Sequence, residues 1–73
     1  MKIGEIYISK EIPLEDEFNE AIRLTSYDGD DLWSVEVGYL EDGVFILDDV
    51  DYTNQLEGKE IYENYIKSTE AFI

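Results

Sequence analysis

The 73-residue chain has no cysteine, no histidine, a single proline and only five basic residues. Without cysteine there can be no disulfide, zinc thiolate or thiol chemistry, and the redox compartment is left open. Without histidine the commonest general base and metal ligand is missing. No apolar run approaches the roughly 20 residues of a membrane-spanning helix. The opening "MKIGEIYISK" has neither the apolar centre nor the cleavage pattern of a signal peptide, so a cytoplasmic domain is expected. The five glycines are scattered and form no phosphate-cradling loop. Ser9, Ser26, Ser34 and Ser68 have no base beside them in sequence. Carboxylate pairs could hydrolyse glycosides only in a cleft that holds them about 5–9.5 Å apart, and so small a domain has little depth for one. A non-enzymatic protein without a cofactor is therefore expected.

What is present is a core and a large negative charge. Hydrophobic residues make up 44% of the chain and ten residues are aromatic, which argues for one folded domain over 1–73 and against a disordered acidic tail. Such a domain hides only about 60% of its unfolded surface, so its stability margin is thin. Nineteen acids against five bases give a net charge of −14, about twice the magnitude that solubility asks of a small domain, roughly 2–8. Self-repulsion on this scale opposes folding. Membranes and nucleic acids, both negative, are poor partners; a basic protein surface or a cation is the complement. A halophilic surface is a competing explanation that the frequent Ile, Tyr and Phe fit less well.

The patterning predicts an α+β fold with an antiparallel sheet of about four strands, 2–9, 20–27, 32–40 and 44–50, and a C-terminal helix over about 57–70 packed on one face. "DGDD" (28–31) reads as a four-residue loop, which sets Leu24 opposite Val35, Ile22 opposite Val37 and Arg23 opposite Glu36. "EDG" (41–43) reads as a three-residue loop with Leu40 opposite Val44 and Val37 opposite Leu47; a two-residue Asp42-Gly43 loop would set Val37 against Asp48. Trp33, Val35, Val37, Tyr39, Phe45 and Leu47 would then share one apolar face. Residues 14–24 carry a helical stripe as an alternative to the second strand. In the C-terminal helix Ile61, Tyr62, Tyr65, Ile66 and Thr69 share a face, and Lys59–Glu63 and Glu63–Lys67 are i,i+4 pairs.

Two constellations could bind a ligand. Asp49, Asp51, Thr53, Gln55, Glu57 and Glu60 fall at positions 1, 3, 5, 7, 9 and 12 of a calcium-loop spacing, with Asn54 where that loop wants glycine. Calcium is thus the alternative ligand, although the preceding segment reads as a strand and not a helix. The second is the run "DGDDLWSVEVGYLEDGVFILDDVD" (28–51), in which Asp28, Asp30, Asp31, Glu36, Glu41, Asp42, Asp48, Asp49 and Asp51 meet no lysine or arginine. In the meander the 28–31 turn should neighbour Asp48, Asp49 and Asp51, with Glu41 and Asp42 about 25 Å away at the far end. Glu36 and Asp48 would lie on the back face. DNA also presents a line of fixed negative charge, and a stiff sheet studded with carboxylates can imitate it. Tyr27 and Tyr52 are candidate rim anchors.

In size, acidity, absent cysteine and αβ pattern the chain resembles the small acidic DNA-mimic proteins of phages and mobile elements, including anti-CRISPR and anti-restriction inhibitors. The resemblance implies a non-enzymatic inhibitor in the host cytoplasm. Its partner would be a basic nucleic-acid-binding protein such as a CRISPR–Cas effector, a restriction enzyme or a nuclease. An acidic interaction module without a dedicated ligand is the plainer alternative.

Overall fold

A computed structural model of the chain describes residues 1–10, 19–48 and 53–71. It is a sheet-dominated α+β fold. The strands are β1 (Ile6–Ser9), β2 (Asn19–Gly29), β3 (Leu32–Glu41), β4 (Val44–Leu47), β5 (Thr53–Glu57) and β6 (Tyr65–Lys67), with short helices α1 (Gly58–Asn64) and α2 (Ser68–Ala71). All six strands belong to one antiparallel sheet in the order β4-β3-β2-β1-β6, with β5 also on β3. The expected four strands are thus six among the described residues. Residues 19–24 are strand and not helix; positions 14–18 of the helical alternative lie outside the described residues.

β3 explains the extra strand β5. Along one edge it pairs with β2; along the other, Gly38–Glu41 pair with β4 and Leu32–Glu36 with β5. Leu47 faces Gly38 and Thr53 faces Glu36, with Val37 between the two pairings on β3. β4 and β5 therefore pair in turn along the same edge of β3. The sequence signal for β5 is weak, because "TNQLE" lacks the β-branched and aromatic alternation of the other strands.

The two hairpins came out differently from the expected loops. Leu24 faces Val35, Ile22 faces Val37 and Arg23 faces Glu36, as predicted. The turn itself is tighter: register shifts at Leu24/Ser26 and Tyr27/Gly29 leave Gly29 opposite Leu32, and only Asp30 and Asp31 form the loop. Both have positive φ, 52° and 61°, the primed turn that matches strand twist and that aspartate tolerates. The three-residue "EDG" loop is overturned. Glu41 faces Val44 and Leu40 faces Phe45, so Asp42 (φ 50°) and Gly43 (φ 80°) make a two-residue turn of the same type. The Asp48 amide donates to the Val37 carbonyl at 3.3 Å, the pairing set aside in favour of a single apolar face.

The sheet is apolar on both faces. Tyr7, Ile22, Leu24, Val35 and Ile61 form one buried cluster with Trp33, Val37, Leu56 and Tyr65 against it. Ile8, Ala21 and Leu40 form the other, with Ile6, Phe45 and Ile66. Phe45 therefore lies across the sheet from Trp33, not beside it. Where β3 meets β4, Gly38 is buried, and a Cβ there would overlap the Ile46 carbonyl oxygen. Gly38→Ala should cost about 1–3 kcal/mol by forcing the β3–β4 backbones apart. A urea midpoint equal to the parent's would show that the hairpin can yield.

The long C-terminal helix is also corrected. α1 stops after seven residues because Tyr65 turns extended, and Tyr65, Ile66 and Lys67 pair with Ser9, Ile8 and Tyr7. Tyr and Ile favour strands, and the open edge of β1 gives them ladder partners. The Lys67 ammonium pairs with Glu5 at 2.5 Å, so it is not Glu63's partner. The Lys67 ammonium holds the Glu5 carboxyl below its ordinary range, and the Glu5 carboxylate in turn holds Lys67 above its own. Ile61 is fully buried, Tyr62 is 79% exposed, and Tyr65 and Ile66 reach the clusters from a strand. α1 joins opposite edges of the sheet: β5 and β6 lie four strand spacings apart, about 19 Å if flat, while eight helical steps from Glu57 to Tyr65 span about 12 Å. The sheet must curl around α1, and the two bulges of β2 add the twist this needs.

Candidate functional site: an acidic sheet edge

The nine carboxylates of 28–51 divide by what they touch. Three are engaged within the fold. Asp28 accepts from Ser26 Oγ (3.1 Å), Gln55 Nε2 (2.9 Å) and Ser34 Oγ, linking β2, β3 and β5. These donors, Ser34 above all, hold its carboxyl below the usual carboxylate range. Glu36 receives the Arg23 guanidinium, whose Nε lies 3.0 Å away, and that guanidinium also sits over the Phe45 ring at 5.1 Å. Glu36 is thus neutralised by its cross-strand neighbour and is not part of a bare acidic back face.

Asp31 performs a more specific task. Its carbonyl accepts from the Gly58 amide (2.7 Å), its Oδ2 accepts from the Lys59 amide (3.2 Å), and its own amide donates to Tyr27 Oη (3.0 Å). Glu57, at the N-cap position of α1, makes no side-chain cap. Asp31 supplies that cap, its carboxylate lying 28 residues upstream of the Lys59 amide it accepts from. A Cβ at Gly58 would overlap the Asp31 carboxylate, so a larger residue there would displace that side chain from its cap position. The sequence hint was a glycine at the start of the helix, but nothing local pairs it with Asp31. Asp31→Ala should lower stability by about 0.5–2 kcal/mol through the lost cap, measured as a thermal midpoint shift; an unchanged midpoint would remove the cap from the fold's supports.

Asp30, Glu41, Asp42 and Asp48 are exposed and form no ion pair among the described residues. Asp49 and Asp51 lie outside the described residues, as does Tyr52. Tyr27 stacks at a tilt on Trp33 (4.8 Å between centroids) and is 54% exposed. The expected meeting of the 28–31 turn with Asp48 does not occur. β5 occupies that place on β3, and Asp48 stands half-way along the strand opposite Val37.

The calcium spacing fares poorly as geometry. Thr53–Glu57 is a strand, and Gln55 spends its amide on Asp28. Side chains alternate across a strand, whereas a calcium loop coils its ligands around one ion. Glu60 follows on α1. Among the described residues no three acidic side chains gather closely enough to hold a metal.

Charge is segregated along the sheet. Residues 24–58 contain ten acids and no base, and they supply β3, β4 and β5. The lysines lie elsewhere: Lys67 on β6, Lys59 on α1, Lys2 and Lys10 flanking β1, with Lys10 Nζ reaching the Tyr62 carbonyl at 3.5 Å. Among the described residues the β4–β5 side thus meets one base, Arg23, which is spent on Glu36 and sits over Phe45, while the α1–β6 side is mixed. No helix among the described residues is long and apolar enough to cross a membrane. Comparison with protein-family models, with curated proteins and with solved structures finds no match.

Proposed function

We propose that the protein is a non-enzymatic inhibitor whose β3–β4–β5 edge imitates the negative charge of a nucleic acid and occupies the groove of a basic nucleic-acid-binding partner. The observation that carries this is a stretch, residues 24–58, with ten acids and no base, whose described part supplies β3, β4 and β5 of a hydrogen-bonded sheet. A flexible acidic tail must be ordered on binding, whereas carboxylates in tight turns and at the ends of paired strands are already held near one another and lose less freedom. Asp30, Glu41, Asp42 and Asp48 face the partner, joined by Asp49 and Asp51. Asp28, Asp31 and Glu36 set the frame; Asp28 and Asp31 add to the field, while Glu36 is neutralised by Arg23. A basic groove of a host-defence nuclease or effector complex is the natural complement, reached quickly through electrostatic steering. The work is done in the cytoplasm, where such partners meet nucleic acid.

The test is capture of the partner on the immobilised full chain, followed by elution with salt or with duplex DNA. Both should release it, because phosphates and carboxylates compete for the same arginines and lysines. A captured protein that stays bound in high salt, or that binds DNA normally while still held, would end the proposal.

A further inference from the structure

Building on that function, we infer that the partner is engaged by strand addition: an extended basic segment pairs with the edge of β4 that is open among the described residues. The two edges of the sheet are unlike. On one side β6 is three residues long and runs straight into α2, with Lys67 tied to Glu5. On the other side β4 pairs only with β3 among the described residues. Natural sheets shield such edges with lysine, proline or bulges. From Glu41 to Glu57 this chain has neither lysine, arginine nor proline, and it places Glu41, Asp42 and Asp48 directly around the apolar "VFIL" of β4. Val44 is 60% exposed there.

Hairpin geometry says which backbone groups are available. In a two-residue hairpin the residues flanking the turn form a hydrogen-bonded pair and the pattern then alternates. Glu41–Val44 and Tyr39–Ile46 are therefore bonded pairs, and the Asp48 amide to Val37 carbonyl bond continues the series. Phe45 and Leu47 point their N–H and C=O groups away from β3. Those groups give a partner strand its ladder, and the flanking carboxylates select a basic one. A second copy of this chain is disfavoured, since it would set −14 against −14 at contact.

The probe is a short peptide of alternating arginine and threonine, added to the full chain at low salt while amide hydrogen exchange is followed. The Phe45 and Leu47 amides should slow about tenfold on binding, while those of Val44 and Ile46, already bonded to β3, should not change. Leu47→Pro removes one outward N–H without touching the β3 ladder. It should weaken peptide binding about two- to tenfold relative to Leu47→Ala, with unchanged Val44 and Ile46 exchange showing that the hairpin is intact. Salt-sensitive binding with no slowing at Phe45 and Leu47 would overturn strand addition and leave charge mimicry standing. Slowing of the same amides with protein concentration alone would overturn it in favour of self-pairing. No peptide binding at low salt would overturn both strand addition and the electrostatic function beneath it.

Discussion

Alanine in place of Ile61 is expected to remove about 2–5 kcal/mol of folding free energy. For a chain of this length the whole margin is about 4–11 kcal/mol, so the variant should sit close to unfolding at room temperature. Ile61 is fully buried against Tyr7, Ile22, Leu24 and Val35, and it is the one large apolar side chain that α1 buries. A seven-residue helix is too short to persist by itself, so its place depends on this contact and on the Asp31 cap. The loss should appear as a lower urea midpoint in Trp33 emission, a direct readout because the chain has one tryptophan. Ile61→Val, which keeps most of the side chain, should cost only about 0.5–1.5 kcal/mol. An Ile61→Ala midpoint within error of the parent would mean that α1 does not close the curled sheet.

Reversing the charge of Glu41, Asp42 and Asp48 together to lysine should weaken the captured partner's affinity by roughly a hundredfold or more, since each change sets like charges face to face. Stability should change little, because relieved self-repulsion offsets the strain of lysine at the positive-φ position 42. The three side chains are exposed, make no ion pair among the described residues, and contribute to the self-repulsion of a −14 chain. Neutralising Asp28, Asp31 and Glu36 should do the reverse, lowering stability through lost hydrogen bonds, the lost cap and an unpaired Arg23. The two sets are interleaved in sequence but differ in what they touch. A triple reversal that binds as tightly as the parent would move the interface away from the β4 edge.

What the sequence made legible, and what it hid, follows from the range of the interactions involved. The β2–β3 register was readable because Leu24/Val35, Ile22/Val37 and Arg23/Glu36 each match like with like or charge with opposite charge. The β3–β4 register departs from the expected one for a physical reason. On a sheet with one apolar face Val37 against Asp48 would be costly; here both faces carry clusters, Asp48 is exposed at the strand end, and Asp42-Gly43 follows the strongest short hairpin signal there is. β6 was hidden inside a helical stripe because the open edge of β1 that draws Tyr65–Lys67 into the sheet lies more than 50 residues away. The Asp31–Gly58 cap is equally non-local. Of the acidic site, the total charge and the absence of bases were plain from composition. Which carboxylates are spent on Ser34, Gln55, Arg23 or the α1 amides could be seen only once the strands were placed.

The most direct measurement of the central claim is the affinity for the captured partner as a function of salt, for the parent chain and for variants of Asp30, Glu41, Asp42 and Asp48 carrying Asn or Gln. Carboxylates that stand in for phosphates should give a steep linear fall of log affinity with log salt, and the slope should lessen with each charge removed. A shallow slope that the substitutions leave unchanged would contradict it.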